Sequence, residues 1–183
     1  MNKKYAIGIG IVYGIASIIL FLLQALLSGG IGIASVISVV TFVAIIAIPV
    51  LYLRKMRREQ NDTLTFKDAF LTGFVGLLMG GVASTVFTAL YVGLIDPEYV
   101  DRMVMSTLEM QKSFMEGSMG EEQMTEIMQQ SEDGIRDGFT PVGMLKSLAY
   151  VALFYLVVSL IIAAFMKKVD AFRAADTREV IDN

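Results

Sequence analysis

A chain of 183 residues with no Cys, no His and no Trp has few side chains on which to build chemistry. Without thiol or imidazole there is no zinc site, iron–sulfur cluster, His-ligated haem, disulfide, thiol nucleophile or histidine base. Methionine is the remaining soft ligand. Eight of the twelve Met fall between Asp96 and Lys146: Met103, Met105, Met110, Met115, Met119, Met124, Met128 and, near the last span, Met144. Thioether sulfur suits Cu(I), and the spacing Met103-x-Met105 is compatible with such a site. The competing reading is an adaptable apolar face on helices lying near a membrane. Met103, Met115, Met124 and Met128 fall at helical spacing with Val100, Val104, Leu108 and Ile127. Packing is therefore the stronger reading, and no metal or other cofactor is expected.

Carboxylates are the other candidates. Glu121, Glu122, Glu126, Glu132, Asp133 and Asp137 cluster, but without calcium-loop spacing. They read as a solvated acidic face. Acid–base work would need a pocket that shifts a carboxyl pKa, and no such pocket is visible in the sequence, so an enzyme is not expected. The formal net charge of −3 gives no reason to expect nucleic-acid binding.

The elements that would carry these residues follow from hydropathy. Apolar residues make up 55 % of the chain and charged residues 18 %, against about 45–50 % and 25 % in soluble domains. Four stretches without an ionisable side chain are long enough to cross a bilayer: 5–28, 31–53, 69–95 and 147–166. They show no two-residue alternation, which argues against a β-barrel. Helices satisfy every backbone amide in hydrocarbon, so the expected fold is all-α, a four-span bundle. The basic start at Lys3 and Lys4 resembles a secretory signal, but the apolar run is longer than the usual ~7–15 residues, so a retained helix is expected. Within the spans Gln24 is the most polar side chain. Proton-coupled pumps display buried ionisable groups there, and this chain has none.

Charge sets the expected orientation. Eleven of the fifteen basic residues lie at the N-terminus (Lys3, Lys4), in the loop 54–68 (Arg54, Lys55, Arg57, Arg58, Lys67) or in the tail 167–183 (Lys167, Lys168, Arg173, Arg178). The segment 96–146 holds Arg102, Lys112, Arg136 and Lys146, with eleven of the eighteen acids. Basic residues accumulate on the cytoplasmic side, so both termini are expected there and 96–146 outside. The run Arg54–Arg58 serves chiefly to fix this topology, with contact to anionic lipid worth about 1 kcal/mol per residue as a lesser role. Tyr5, Tyr52, Tyr91 and Tyr150 fall near the expected interfaces, as an aromatic belt would place them.

Local signals divide the chain further. Ser28-Gly29-Gly30 predicts a tight hairpin between spans one and two, and Pro49 a kink in span two. Thr65-Phe66-Lys67-Asp68 reads as a capping-box-like start of helix three, with Phe66 and Phe70 among the headgroups. Asp96-Pro97 predicts a new helix start, and Ser118-Met119-Gly120-Glu121 a second capping box. Gly134 and Gly138 predict a loop, and Thr140-Pro141 a cap on the last helix. The outer segment thus reads as an amphipathic helical hairpin. Small residues recur every fourth position: Ala6, Gly10 and Gly14 in span one; Thr72, Gly76, Gly80, Ser84 and Thr88 in span three. Such stripes let backbones approach closely. Packing within the bundle through Gly10, Gly14, Thr72, Gly76, Gly80 and Ser84 is favoured over a dimer face.

Taken in order, these parts resemble a family of uncharacterised bacterial membrane proteins, domain of unknown function 4199, of Bacteroidetes type. The resemblance rests on the close hairpin of spans one and two and on Thr65-Phe66-Lys67-Asp68-Ala69-Phe70 at the start of helix three. It rests also on Ile95-Asp96-Pro97-Glu98-Tyr99 at its exit, the Met/Glu-rich outer segment and a single closing helix. It does not reach the tail 170–183. It implies a multi-pass inner-membrane protein and carries over no activity, cofactor or catalytic residue. The expected role is a non-enzymatic scaffold or accessory subunit. Its face at Met103, Leu108, Met115, Met124 and Met128 would contact a membrane protein partner, lipid or a second copy. The alternative is a small transporter or export component with a path along the Gly-rich seams.

Overall fold

The computed structural model describes residues 1–27, 31–60, 64–115 and 120–166. The protein is all-helical, with elements α1 (Lys3–Leu27), α2 (Ile31–Glu59), α3 (Phe66–Leu90), a π-turn (Tyr91–Ile95) that continues α3, α4 (Tyr99–Met115), α5 (Glu121–Gly138) and α6 (Pro141–Met166). Four helical stretches are long and apolar enough to cross a membrane: Lys3–Leu27, Ser35–Glu59, Phe66–Ile95 and Pro141–Met166. Large apolar side chains cover their outside. Ile11, Ile15 and Ile19 on α1, Val36, Val39 and Val43 on α2, and Leu153, Val157 and Ile161 on α6 are all exposed, as side chains bathed in lipid would be.

The centre of the bundle is α3. Its most extensive packing is with α1, then with α6, while α2 lies across α1 and α6. The α1 face that meets α3 repeats at helical spacing: Ala6, Ile9, Gly10, Tyr13 and Gly14 are buried. Thr72, Gly73, Gly76, Leu77, Gly80 and Gly81 are buried on α3. The backbones nearly touch. A Cβ on Gly76 would sit 2.7 Å from Ile9 Cβ and 2.9 Å from the Ala6 carbonyl. One on Gly80 would sit 2.9 Å from the Gly10 carbonyl. Gly10, Gly14, Gly76 and Gly80 therefore form the α1–α3 seam, and Thr72 is buried beside them, its hydroxyl accepting from the Asn2 N–H at 3.1 Å.

Two apolar cores result, one at each end. The larger surrounds Tyr5, Ile9, Leu53, Met56, Leu77, Val158 and Ile162, at the end that carries the N-terminus and the α2–α3 connection. The smaller, at the end that carries α4 and α5, surrounds Ala25, Tyr91 and Tyr99. Tyr5 and Tyr91 are thus core residues and not members of an aromatic belt; each packs edge-on against another ring, Tyr52 and Phe21 respectively. Tyr150 is exposed, as a belt residue would be.

Several element boundaries differ from those read off the sequence, each for a local reason. The basic stretch Arg54–Arg58 is helical, because burial of Leu53 and Met56 carries α2 on to Glu59. Arg57 and Arg58 then lie in its last turn, where cations suit the helix dipole. Helix α6 begins at Pro141, before the uncharged run. The Thr140 hydroxyl accepts from the Gly143 N–H at 3.0 Å, and Pro141 fills the first position where no N–H is needed. Asp96 ends the π-turn instead of opening α4. Its N–H donates to the Tyr91 carbonyl at 2.8 Å, and α4 starts at Tyr99. Gly134 makes no loop, since α5 runs through it, whereas Gly138 is the last residue of α5 and opens the short connection to α6. Gly120 is its N-cap, without a side-chain hydrogen bond, while Ser118 lies outside the described residues. The turn 28–30 and the tail 167–183 also lie outside them. Pro49 is buried within α2. Thr65 caps α3, its hydroxyl accepting from the Asp68 N–H at 3.1 Å, and Phe66, Phe70 and Phe74 stack along the helix start.

Glycine at the seam and glycine on an open face should respond oppositely to a methyl group. Gly76→Ala is expected to lower stability by about 1–3 kcal/mol, as overpacking does. Gly134→Ala, with nothing within 4 Å of the new Cβ, should raise it by about 0.5–1 kcal/mol. Unfolding titrations in detergent micelles measure both.

Candidate functional site

Between the two cores the bundle is hollow. A cleft of about 350 Å³ lies among α1, α2, α3 and α6, at the small end of the range for ligand pockets. On α1 it is lined by Tyr13, Ser17, Leu20, Phe21 and Gln24, a single helical stripe. On α3 the stripe is Gly81, Ser84, Thr85 and Thr88; on α6 it is Met144, Ser147, Leu148, Val151 and Tyr155. Among the described side chains, α2 contributes Ile37 and Thr41, fewer than α1, α3 or α6. Gly138 and Phe139, at the end of α5, complete the rim.

The cause lies in α2. Its buried residues are Ile37, Ile45, Pro49, Leu53 and Met56, weighted toward the N-terminal end of the bundle. Toward the other end, Val36, Val39, Val40 and Val43 face outward. Among the described side chains α2 contributes little there, and the space beside α1, α3 and α6 stays open. The floor is a buried pair of tyrosines. The Tyr13 and Tyr155 hydroxyls are 2.7 Å apart, with the rings edge-to-face at 5.7 Å. Each is 3 % exposed. Tyr155 also packs over Gly81, where a Cβ would sit 2.8 Å from the ring.

The lining is largely apolar and carries several uncharged polar groups. Tyr13, Ser17, Thr41, Ser84, Thr85, Thr88, Ser147 and Tyr155 bring hydroxyls, and Gln24 an amide. Thr41 and Thr85 donate to carbonyls of their own helices, at 2.8 Å to Ile37 and 2.9 Å to Gly81. Their oxygens remain able to accept. Ser17 Oγ is buried without a hydrogen-bond partner. No ionisable side chain other than the paired tyrosines lines the cleft. This arrangement can hold an uncharged hydrogen-bonding group. Among the described residues no cluster of three or more acidic side chains is placed to hold a metal ion.

The α4–α5 pair sits against the same end. Phe21 packs on Tyr91 at 5.3 Å and on Tyr99 at 5.4 Å, and Tyr99 packs on Phe139 at 5.9 Å. Outside the rings, the Arg102 guanidinium donates to the Asp96 carboxylate. Arg136 donates to Asp101 at 2.7 Å and to Glu132 at 2.9 Å, tying α5 to α4. The Arg102 hydrogen bond holds the Asp96 carboxyl below the ordinary aspartate value, against the opposing effect of desolvation.

The residues singled out from sequence divide between these features. Gly10, Gly14, Thr72, Gly76 and Gly80 belong to the seam, whereas Ser84 lines the cleft. Met103, Leu108, Met115, Met124 and Met128 are half-buried, and Met103 packs on the Tyr91–Tyr99 cluster. The apolar side chains of α4 most open to the surroundings are Met105 and Phe114, at 63 % and 72 % exposure. Met119 lies outside the described residues. Sequence reasoning missed the cleft. Its signal was the run of hydroxyls in one half of three spans, Ser17 with Gln24, Ser84 with Thr85 and Thr88, and Ser147.

Two outcomes test this geometry. In a double-mutant cycle, Tyr13→Phe and Tyr155→Phe should show a coupling of roughly 0.6 kcal/mol and at most about 1.7, the range for interhelical hydrogen bonds in membranes. Additive single effects would mean that the pair is not bonded. At Asp96 the folded carboxyl binds its proton less readily than the unfolded one. Its contribution is therefore complete above the ordinary aspartate value of 3.8 and is lost as pH falls through and below it. Hydrogen exchange in the first turn of α4 should accelerate, beyond the intrinsic rate, only in that acid range. Asp96→Asn should exchange faster at neutral pH and show no acid step.

A family model described as "Protein of unknown function (DUF4199)" matches residues 8–168, and the chain belongs to that family. No curated protein and no solved structure matches it.

Proposed function

We propose that this DUF4199 protein is a non-enzymatic scaffold or accessory subunit of a bacterial inner membrane. Both termini would be cytoplasmic, with α4 and α5 on the opposite side. The charge distribution supports the orientation, since eleven of the fifteen basic residues lie at the end of the termini and the α2–α3 connection. One observation carries the role. The α4–α5 pair is braced to the bundle by interlocked rings, Phe21, Tyr91, Tyr99 and Phe139, and by the ion pairs of Arg102 and Arg136. A surface held in place before binding loses less freedom on association. Met105 and Phe114 project from that braced pair and are the first contacts for a partner membrane protein or a second copy. Half-buried Met115, Met124 and Met128 lie behind them as adaptable packing.

Transport along the glycine seams finds less support. The α1–α3 seam is closed to the width of a methyl group, and the tyrosine pair stops the cleft at mid-bundle.

Because the chain has no Cys, single cysteines report cleanly. An impermeant maleimide added to spheroplasts should label Gly134→Cys and spare Gln60→Cys; the reverse pattern would invert the orientation. A photo-crosslinking residue at Met105 or Phe114 should give a protein adduct of discrete mass in intact cells. Adducts to lipid alone would remove the scaffold role.

A further inference from the structure

We propose that the cleft is a binding site for the uncharged, hydroxyl-bearing headgroup of a membrane lipid of the diacylglycerol class. The inference is independent of the scaffold role. It begins from depth. Tyr13 and Gln24 are eleven residues apart on α1, about 16 Å of helix. The cleft therefore runs through roughly one leaflet of a ~30 Å hydrocarbon core. A pocket there meets lipid before it meets any solute.

Charge decides the headgroup. A phosphate brought into the cleft would lose its hydration and find no cation among the lining side chains. Hydroxyls and esters find both donors and acceptors. Ser17 Oγ is buried behind the cleft surface with no partner, a state that carries a cost in a low-dielectric site. Thr41 and Thr85 offer acceptor oxygens to a ligand hydroxyl, since their own donors are engaged.

Size decides how much of the lipid enters. The cleft, about 350 Å³, holds roughly a dozen water-sized groups. That accommodates glycerol with its ester linkages and excludes two acyl chains. The chains must leave sideways, and the wall made by α2 is where they can, because among the described side chains Ile37 and Thr41 alone stand there. The exposed valines of α2 outside that wall present an apolar surface for the chains to lie on.

The probe is a diacylglycerol carrying a photoactivatable diazirine near its glycerol end, added to the full chain in phosphatidylcholine nanodiscs. Labelling is expected in the peptides that contain Ser17, Ser84 and Ser147. A tenfold excess of unlabelled diacylglycerol should reduce it at least about fivefold, and phosphatidylglycerol or free glycerol should leave it unchanged. Gln24→Leu and Ser147→Leu together should weaken labelling several-fold. Ile11→Leu, on the lipid-facing side of α1, should not. Labelling spread evenly over the outward faces overturns the site. Competition by phosphatidylglycerol overturns the selection for an uncharged group, and competition by free glycerol overturns the lipid. Should the double variant fail to fold, the map and the competition on the unaltered protein still decide.

Discussion

Helices in hydrocarbon gain little by turning apolar side chains toward one another, because lipid tails are equally apolar. What holds α1 to α3 is closeness, and closeness is a property of Gly10, Gly14, Gly76 and Gly80. With no Cβ between them the backbones meet within van der Waals contact, and Ile9 and Tyr13 drop onto glycine on the facing helix. Each methyl added there would push the two axes apart. The rest of the bundle takes its bearings from this seam. It makes α3 central, turns Gly73 and Gly81 toward α6, and lets Tyr155 lie over Gly81 until its hydroxyl reaches Tyr13.

The same closeness leaves the bundle lopsided. The seam and α2 are together packed solid at one end, around Leu53, Met56 and Leu77. At the other end α1, α3 and α6 keep their rotation, but among its described side chains α2 gives only Ile37 and Thr41 to the interior. A rigid seam cannot bend to fill the difference, so the difference becomes space. Space among membrane helices is tolerable when its walls can satisfy their own polar groups. Thr41 and Thr85 do this by bonding back to their own helices, and the tyrosines by bonding to each other. Ser17 does not.

Hydropathy made the four spans legible because lipid imposes a length and forbids charge, and those demands are written residue by residue. The capping residues Thr65 and Thr140 were equally legible, since a cap needs only its own next three residues. Signals that depend on a distant partner were not. Gly134 suggested a loop, yet α5 continues through it to Gly138, held by the Arg136 ion pairs to Glu132 and Asp101. Arg54–Arg58 suggested a loop, yet two buried residues, Leu53 and Met56, keep α2 wound. Ser84 suggested a seam position, four residues beyond Gly80. The helices have diverged by then, and Ser84 looks into the cleft. A void has no residues of its own, so its one trace in the chain is the hydroxyls of its walls, Ser17, Ser84, Thr85, Thr88 and Ser147.

The cleft and the α4–α5 pair are one mechanical unit. Phe21 lines the cleft on one side of its ring and packs against Tyr91 and Tyr99 on the other. Phe139 does the same from the end of α5, touching Tyr99. The π-turn explains how this is possible. By adding one residue to the last turn of α3 just after Tyr91, it brings Asp96 to the Tyr91 hydroxyl, 3.4 Å away, and to Arg102. A regular α-turn would carry Asp96 around the axis and away from Arg102. The start of α4 is thus set by rings whose far faces look into the cleft, and a group seated there would press on the side chains that position Met105 and Phe114.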